Sequence, residues 1–147
     1  MRAVVQRVKR ASVSVDGVCI GKIGAGLLVL LGIAKGDTEK EIRWMVDKIV
    51  NLRIFEKDAG RFDESLLDIG GHLLIVSQFT LYGDCSKGRR PSFSEAMASE
   101  DARSLFEKFV DRAKQQIDSV ETGIFRADMD VELVNDGPVT LIVDSEK

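Results

Sequence analysis

Two strongly apolar runs do most to restrict the folds open to this chain. Residues 27–33 and 72–81 are each rich in Leu, Ile and Val, and glycines stand close before both of them. Such runs are typical of strands that are buried on both faces of a sheet. Other layers of the molecule must therefore cover both faces.

Only two long helical patterns are available to supply that cover. Thr38 and Glu41 predict a capping box at the start of the first helix, and Ser99 is predicted to cap the second. An apolar stripe at helical spacing then follows in the second helix: Ala102, Leu105, Phe106, Phe109, Val110, Ala113 and Ile117. Strands outnumber helices, so we predict an α/β fold. In it a mixed, largely antiparallel sheet folds over into layers and packs with two main helices.

Tight turns separate the remaining predicted strands. Asp16-Gly17 is a strong signal for a two-residue hairpin turn. Near the C-terminus, residues 129–134 and 139–143 are predicted to form a second hairpin, joined by a turn at residues 135–138. Further strands are predicted at residues 3–15, 18–23, 52–55, 65–67 and 121–125.

The size and composition fit one domain that spans residues 1–147. The chain is 44% hydrophobic and 31% charged, which suits a single compact core. Strand-like sequence begins at once, so we expect no signal peptide. The apolar run 27–34 is too short to cross a bilayer. We therefore expect a soluble cytoplasmic protein with no membrane partner.

The charge and the cysteines exclude several classes of partner. A net charge of −3 argues against a protein that coats nucleic acid non-specifically. Local basic sites remain possible at two clusters, one formed by Arg2, Arg7, Lys9 and Arg10 and one at residues 87–90. Cys19 and Cys85 lie far apart without a CxxC pattern, so free thiols are expected rather than a disulfide or a zinc site.

No side-chain catalytic group stands out. In a regular strand His72, the single histidine, and Ser77 point to opposite faces, and no Gly-x-Ser-x-Gly elbow is present. His72 is therefore interpreted as structural. Walker A and Rossmann glycine patterns are absent. We expect no metal and no cofactor.

Two motifs carry a resemblance to a known family. Ser77-Gln-Phe-Thr-Leu81 together with Asn135-Asp-Gly-Pro-Val-Thr140 resembles the motif pair of the D-aminoacyl-tRNA deacylases, the D-Tyr-tRNA deacylase family. The likeness runs along nearly the whole chain, through residues 3–8, 11–13, 16–17, 36–38, 48–49, 52–55, 87–88 and 90–93. The chain departs from the family pattern at Arg126, where glycine is usual, at Gly83-Asp-Cys85 and at Arg89.

The resemblance implies a homodimeric hydrolase that cleaves the ester between a D-amino acid and the 3′-terminal adenosine of tRNA. It implies that Gly137-Pro138 is a cis dipeptide inserted into the partner's active site, with Arg7 helping to fix it. Residues implied at the site are Ser77, Gln78, Phe79, Thr80 and Met129, with Ala102 near the terminal adenosine.

The implied chemistry suits a chain without a histidine base. An aminoacyl ester is already activated, and the neighbouring 2′-hydroxyl of its ribose can assist, so the protein need only position the ester and polarise its carbonyl. Backbone N–H groups near Phe79 and Thr80 are candidate oxyanion donors. Thr80 as a nucleophile ranks second. An RNA-binding module without catalysis and a structural dimerisation domain are the alternatives from other classes.

Overall fold

The computed structural model describes residues 1–146 as eight strands and three α-helices. A single 3₁₀ helix lies between the strand β6 and the helix α3. The elements in chain order are β1 (Arg2–Val15), β2 (Val18–Ile23), β3 (Gly26–Gly32), α1 (Glu39–Asn51), β4 (Phe55–Glu56), β5 (Phe62–Glu64), α2 (Leu66–Ile69), β6 (His72–Ser77), the 3₁₀ helix (Phe79–Tyr82), α3 (Ser99–Lys114), β7 (Val120–Thr122) and β8 (Asp130–Asp144).

The long strand β1 holds the main sheet together. Its residues 2–8 pair with β3 and its residues 11–15 pair with β2, while β8 runs antiparallel along its other edge. β6 and β7 then extend the sheet in parallel from β3. The turn between β1 and β2 has φ of +50° at Asp16 and +77° at Gly17, as a tight hairpin requires. The predicted mixed sheet is confirmed.

Two apolar layers bury the two faces of this sheet. Leu73 and Ile75 of β6 face the layer that contains α1 and α3, whereas Leu74 and Val76 face a second layer. That second layer forms where the sheet folds over, and Val13 of β1 and Ile23 of β2 belong to it. The prediction that the apolar strands are buried on both faces is therefore confirmed.

Several predicted elements have different bounds. The strand expected at 52–55 begins only at Phe55, because Leu52 caps the C-terminal end of α1. The strand expected at 65–67 is wrong, since Ser65 and Asp68 form a capping box that starts α2. The strand β7 is Val120–Thr122 rather than 121–125.

The cap predicted for the second long helix is also wrong. Ser99 is the first residue of α3, and Ala98 occupies the N-cap position without a side-chain hydrogen bond. The cap predicted for α1 is confirmed, because Thr38 and Glu41 form a complete capping box.

Ion pairs hold the start of the chain to Asp37 and to the end of β8. The Met1 amino group lies 2.9 Å from the Asp37 carboxylate, and Arg2 pairs with Asp144 at 2.9 Å. The Arg2 guanidinium also lies 4.7 Å from the centre of the Tyr82 ring. Burial, reinforced by the Asp37 and Asp144 carboxylates, raises the pKa of the Tyr82 phenol well above its usual range.

No helix within residues 1–146 is long and apolar enough to cross a membrane.

Candidate active site

A cleft of about 500 Å³ opens at the carboxyl ends of β3 and β6. These strands are parallel and paired from Gly26↔His72 to Leu31↔Ser77, so their ends meet at one edge of the sheet. The start of α3 and the segment before β8 close the other sides. The lining residues are Leu31, Ile33, Val76, Ser77, Gln78, Phe79, Met97, Ser99, Ala102, Phe125, Arg126, Ala127, Asp128, Met129 and Val131.

Five of the residues implied by the resemblance meet in this cleft: Ser77, Gln78, Phe79, Ala102 and Met129. Four others, Thr80, Arg7, Gly137 and Pro138, are not among its lining residues. Ser99, which the sequence predicted only as a helix cap, also lines the cleft, as do Met97 and Asp128, which the sequence did not single out. Their only signal was a position just before α3 or just before β8, which identifies a loop but no role.

The chain changes direction at Ser77, where β6 ends. The predicted strand 72–81 is therefore too long, since residues 79–82 form a 3₁₀ helix. Gln78 still donates its N–H to the Leu31 carbonyl at 2.8 Å, but β3 and β7 offer no partner beyond this point. The following backbone groups bond locally instead, with the Gly83 N–H donated to the Thr80 carbonyl at 2.9 Å.

This turn leaves backbone donors beside the cleft. The first N–H groups of a helix have no acceptor within the helix. Within residues 1–146 neither the Phe79 N–H nor the Thr80 N–H has a hydrogen-bond acceptor. Phe79 lines the cleft and Thr80 follows it, so two adjacent amides at this end of the cleft lack an acceptor among the described residues.

The Thr80 hydroxyl and the His72 imidazole do not form a catalytic pair in this chain. The Thr80 hydroxyl accepts a hydrogen bond from the Gln78 amide and has no carboxylate or imidazole partner among the described residues. His72 begins the strand that Ser77 ends, roughly 16 Å away at about 3.3 Å per residue. Its Nδ1 accepts the Gly24 N–H at 3.1 Å, as its structural interpretation predicts.

The mouth of the cleft is formed by the segment before β8 and the first turn of α3. Arg126 has φ of +69°, a conformation that glycine adopts without steric cost, and its side chain lies 3.7 Å from the Glu100 carboxylate. Deeper in, Met129 passes over Gly123, where a Cβ would lie 2.4 Å from the Met129 sulfur. The departure at Arg126 therefore places a guanidinium at the cleft mouth.

Gly137-Pro138 lies in a bulge of β8 rather than in a hairpin turn. Gln6 of β1 pairs with Thr140 and Val8 pairs with Asn135, so residues 136–139 lie opposite Arg7 alone. The predicted C-terminal hairpin is wrong, because residues 129–134 and 139–143 both pair with β1 and not with each other. The Gly137-Pro138 peptide bond is cis, and both residues are exposed.

Side chains brace this bulge from both sides. Arg7, which is buried, donates from Nε to the Asp136 carbonyl at 3.0 Å and from Nη1 to the Ile54 carbonyl at 2.8 Å. The Asn135 side chain accepts the Val139 N–H at 2.7 Å and donates to the Thr140 hydroxyl at 3.0 Å. The exposed dipeptide is thus held by fixed contacts on both flanks.

The comparisons with known proteins agree along the whole chain. The family model described as D-Tyr-tRNA(Tyr) deacylase matches residues 4–144. The D-aminoacyl-tRNA deacylase of Clostridium kluyveri is 60% identical over 147 residues, which is 100% of this chain and 99% of the relative. The protein of the same name from Desulfitobacterium hafniense is 58% identical with the same coverage.

Two solved structures share the architecture. A structure described as the c-Myc DNA unwinding element binding protein superposes with a TM-score of 0.94 at 44% identity, covering 99% of each chain. A probable eukaryotic D-amino acid tRNA deacylase superposes with a TM-score of 0.82 at 18% identity, covering 97% of each chain. The second likeness concerns the fold alone.

Proposed function

The chain belongs to the D-Tyr-tRNA(Tyr) deacylase family, and from that premise we propose that it hydrolyses the ester of D-aminoacyl-tRNA. The observation that carries the proposal is the meeting of Ser77, Gln78, Phe79, Ala102 and Met129 in one cleft. The chain that brings them together is 60% identical, along its full length, to a protein named for this activity. The products are free tRNA and a D-amino acid, and the cytoplasm, where tRNA is charged, is the expected site of this proofreading.

The proposed chemistry uses the backbone and the substrate. Water attacks the ester carbonyl carbon, the bond from that carbon to the ribose 3′-oxygen breaks, and the 3′-oxygen takes a proton. The N–H groups of Phe79 and Thr80 stabilise the negative charge that develops on the carbonyl oxygen. One such donor contributes about 3–4 kcal/mol in other hydrolases.

The remaining catalytic help comes from the substrate and from its positioning. The neighbouring 2′-hydroxyl assists the proton transfer, and holding the ester in place contributes up to about 7–11 kcal/mol. Thr80 as a nucleophile ranks second, since its hydroxyl contacts a donor amide and not a base.

We propose a homodimer in which each cleft is completed by the partner's Gly137-Pro138. Within one chain the dipeptide is exposed and does not line the cleft. On the same strand Ile142 is 74% exposed, and it lies opposite Val4, which in turn lies opposite Leu30. This apolar row on the face away from the helices gives the bulge a surface against which a second subunit can pack.

The inserted dipeptide acts as the chirality filter. Main-chain oxygens on one side of the substrate α-carbon leave room there for a hydrogen but not for a Cβ. An L-residue would therefore clash, whereas a D-residue directs its side chain into the cleft, near Met129. Arg7 serves this filter as a positioning residue, through its bond to the Asp136 carbonyl. The filter cannot reject glycine, which has a hydrogen on both sides.

Nucleic-acid binding without turnover is the second candidate function. The structural relative at 44% identity supports it, since that protein is described as a DNA unwinding element binding protein. A purely structural dimerisation domain predicts neither binding nor turnover. Loss of the aminoacyl ester separates the first proposal from both.

The direct test follows ester loss from matched D-, L- and glycyl-tRNAs at one enzyme concentration. We expect hydrolysis of the D-ester and of the glycyl ester, with the L-ester intact. Equal loss of the D- and L-esters, or loss of neither, would refute the proposed function. Glycyl-tRNA that survives while the D-ester is cleared would refute the filter but not the deacylase.

A further inference from the structure

A loop beside the cleft carries three cations that the proposed chemistry does not use. Residues 85–91, here called the basic loop, are closed at the base by two backbone hydrogen bonds between Asp84 and Ser92, of 2.7 and 2.9 Å. Lys87, Arg89 and Arg90 lie within the basic loop and all three are exposed. The loop is thus a defined protrusion with a positive surface.

The charges of the basic loop are not neutralised inside the described chain. Within residues 1–146, Lys87, Arg89 and Arg90 have no carboxylate within 4.0 Å. The nearby Asp84 carboxylate instead accepts the Ser86 N–H at 2.9 Å, and hydrogen bonds from Ser86 hold the pKa of Asp84 below its usual range. The protein as a whole carries a net charge of −3, so this local positive charge is not a general property of its surface.

In the N-terminal basic cluster Lys9 and Arg10 are likewise exposed and have no carboxylate within 4.0 Å among residues 1–146, but Arg2 and Arg7 are engaged. Arg2 pairs with Asp144 at 2.9 Å, and Arg7 is buried against backbone carbonyls. Both side chains serve the fold. Of the two basic clusters in the sequence, only the basic loop keeps all of its arginines available to an external anion.

The segment that follows the basic loop is attached to residues of the cleft. Just after the loop, Phe93 packs edge-to-face on Phe79, with ring centres 5.1 Å apart. Further on, Met97, which lines the cleft, donates its N–H to the Ile33 carbonyl at 3.0 Å. The position of the loop is therefore fixed relative to the cleft mouth.

We propose that the basic loop binds the phosphates of the tRNA acceptor end whose aminoacylated terminus occupies the cleft. This rests on the proposed function and names the surface that holds the rest of that substrate. The nucleotides before the terminal adenosine must leave the cleft across its rim, and each adds one phosphate. Arginine matches phosphate oxygens through paired N–H donors, and lysine adds a point charge. Three such contacts strengthen binding and make it salt-dependent.

The test compares two substrates that differ in their phosphates. One is full-length D-aminoacyl-tRNA, and the other is 3′-O-(D-aminoacyl)adenosine, which has the ester but no phosphate. The variant replaces Lys87, Arg89 and Arg90 by glutamine. A control variant replaces the exposed Lys40, Arg43 and Lys114 by glutamine, which changes net charge equally.

We expect the loop variant to raise KM for the tRNA about tenfold or more at low salt, with kcat unchanged, and to reduce the slope of log KM against log salt by about two. Its turnover of the adenosine ester should match the wild type, which also shows that the variant is folded. The control variant should leave both substrates unchanged.

Three results would overturn the inference. One is an unchanged KM for the tRNA, including the case in which the loop variant loses only binding to duplex DNA. Another is equal impairment on the adenosine ester, which would place the effect in the cleft. The third is an equal effect of the control variant, which would make net charge the cause. A wild type that hydrolyses neither ester would refute the proposed function and this inference with it.

Discussion

Gly137 occupies a backbone conformation that a side chain cannot share without strain. Its φ is +133°, and a Cβ there would lie 2.9 Å from the Val139 Cγ2 atom and 3.1 Å from Arg7 Nη2. The resemblance identified both this residue and Arg7, about 130 positions earlier, but it could not show the contact itself, in which Arg7 Nε donates to the Asp136 carbonyl at 3.0 Å. That contact depends on the pairing of β1 with β8, and so on the whole fold.

Replacing Gly137 by alanine should abolish the discrimination between D- and L-esters. The added methyl group must displace either the bulge backbone or Arg7, and a non-glycine residue in this region costs about 1–3 kcal/mol. We expect the L-ester to be hydrolysed by the variant, which should still fold. The measurement is the ratio of kcat/KM for matched D- and L-aminoacyl-tRNA.

Gly17→Ala is the matched control for this substitution. Gly17 also has a positive φ, of +77°, but a Cβ there meets no atom within 4 Å, and the residue does not line the cleft. It should lose stability and keep its D/L ratio. A Gly137→Ala variant that is as selective as Gly17→Ala would contradict the role given to the dipeptide.

At the scale of elements, local chemistry predicted some features well and others badly. The Thr38–Glu41 capping box and the Asp16-Gly17 turn are confirmed, because each depends only on residues that are close together in the sequence. The C-terminal hairpin is wrong for the opposite reason. Asn, Asp, Gly and Pro mark a reversal or a bulge equally, and only the partner strand decides which. The prediction that the strand continues beyond Ser77 is wrong for the same reason, since no neighbouring strand pairs with the residues that follow.

The α1 cap gives a prediction for stability. Thr38 Oγ1 accepts the Lys40 N–H at 3.3 Å and donates to Glu41 Oε2 at 2.8 Å. Thr38→Ala should therefore lower the free energy of unfolding by about 1 kcal/mol at pH 7, whereas Thr38→Ser should change it little. Guanidinium unfolding at one fixed protein concentration measures both variants. Equal stability of Thr38→Ala and the wild type would contradict the cap.

The same cap predicts a pH dependence. Hydrogen bonds from the Thr38 backbone N–H and then its hydroxyl lower the pKa of Glu41 below the ordinary 4.5. A lowered pKa in the folded state means that the stabilisation is full above about pH 4.5 and is lost as the pH falls through the lowered value. The advantage of the wild type over Thr38→Ala should shrink in that acidic range.

At the scale of the whole molecule, the sheet and its two apolar layers were within reach of sequence reasoning. The continuous apolar strands required cover on both faces, and two long helices could supply only one side, so folding over was the remaining solution. Hydrophobic periodicity could not predict the cleft. The ends of β3 and β6, the start of α3 and the segment before β8 are far apart in the sequence and meet only in the folded structure. The resemblance to a family, not the pattern, brought its residues together.

In the proposed homodimer one chain is incomplete, since the cleft and the dipeptide proposed to filter its substrate belong to different subunits. A heterodimer tests this most directly. One subunit carries Gln78→Trp, which blocks its cleft and leaves its dipeptide intact. The other carries Gly137→Ala, which leaves its cleft open and alters its dipeptide. Two different affinity tags allow the mixed dimer to be isolated.

In this heterodimer the only open cleft belongs to the Gly137→Ala subunit, and the only intact dipeptide belongs to its partner. If the dipeptide acts across the interface, the heterodimer must hydrolyse the D-ester and spare the L-ester, although the Gly137→Ala homodimer hydrolyses both. If the dipeptide acts within its own chain, the heterodimer will hydrolyse the L-ester as that homodimer does. Loss of the L-ester in the heterodimer, or a protein that is monomeric while it discriminates, would contradict the account.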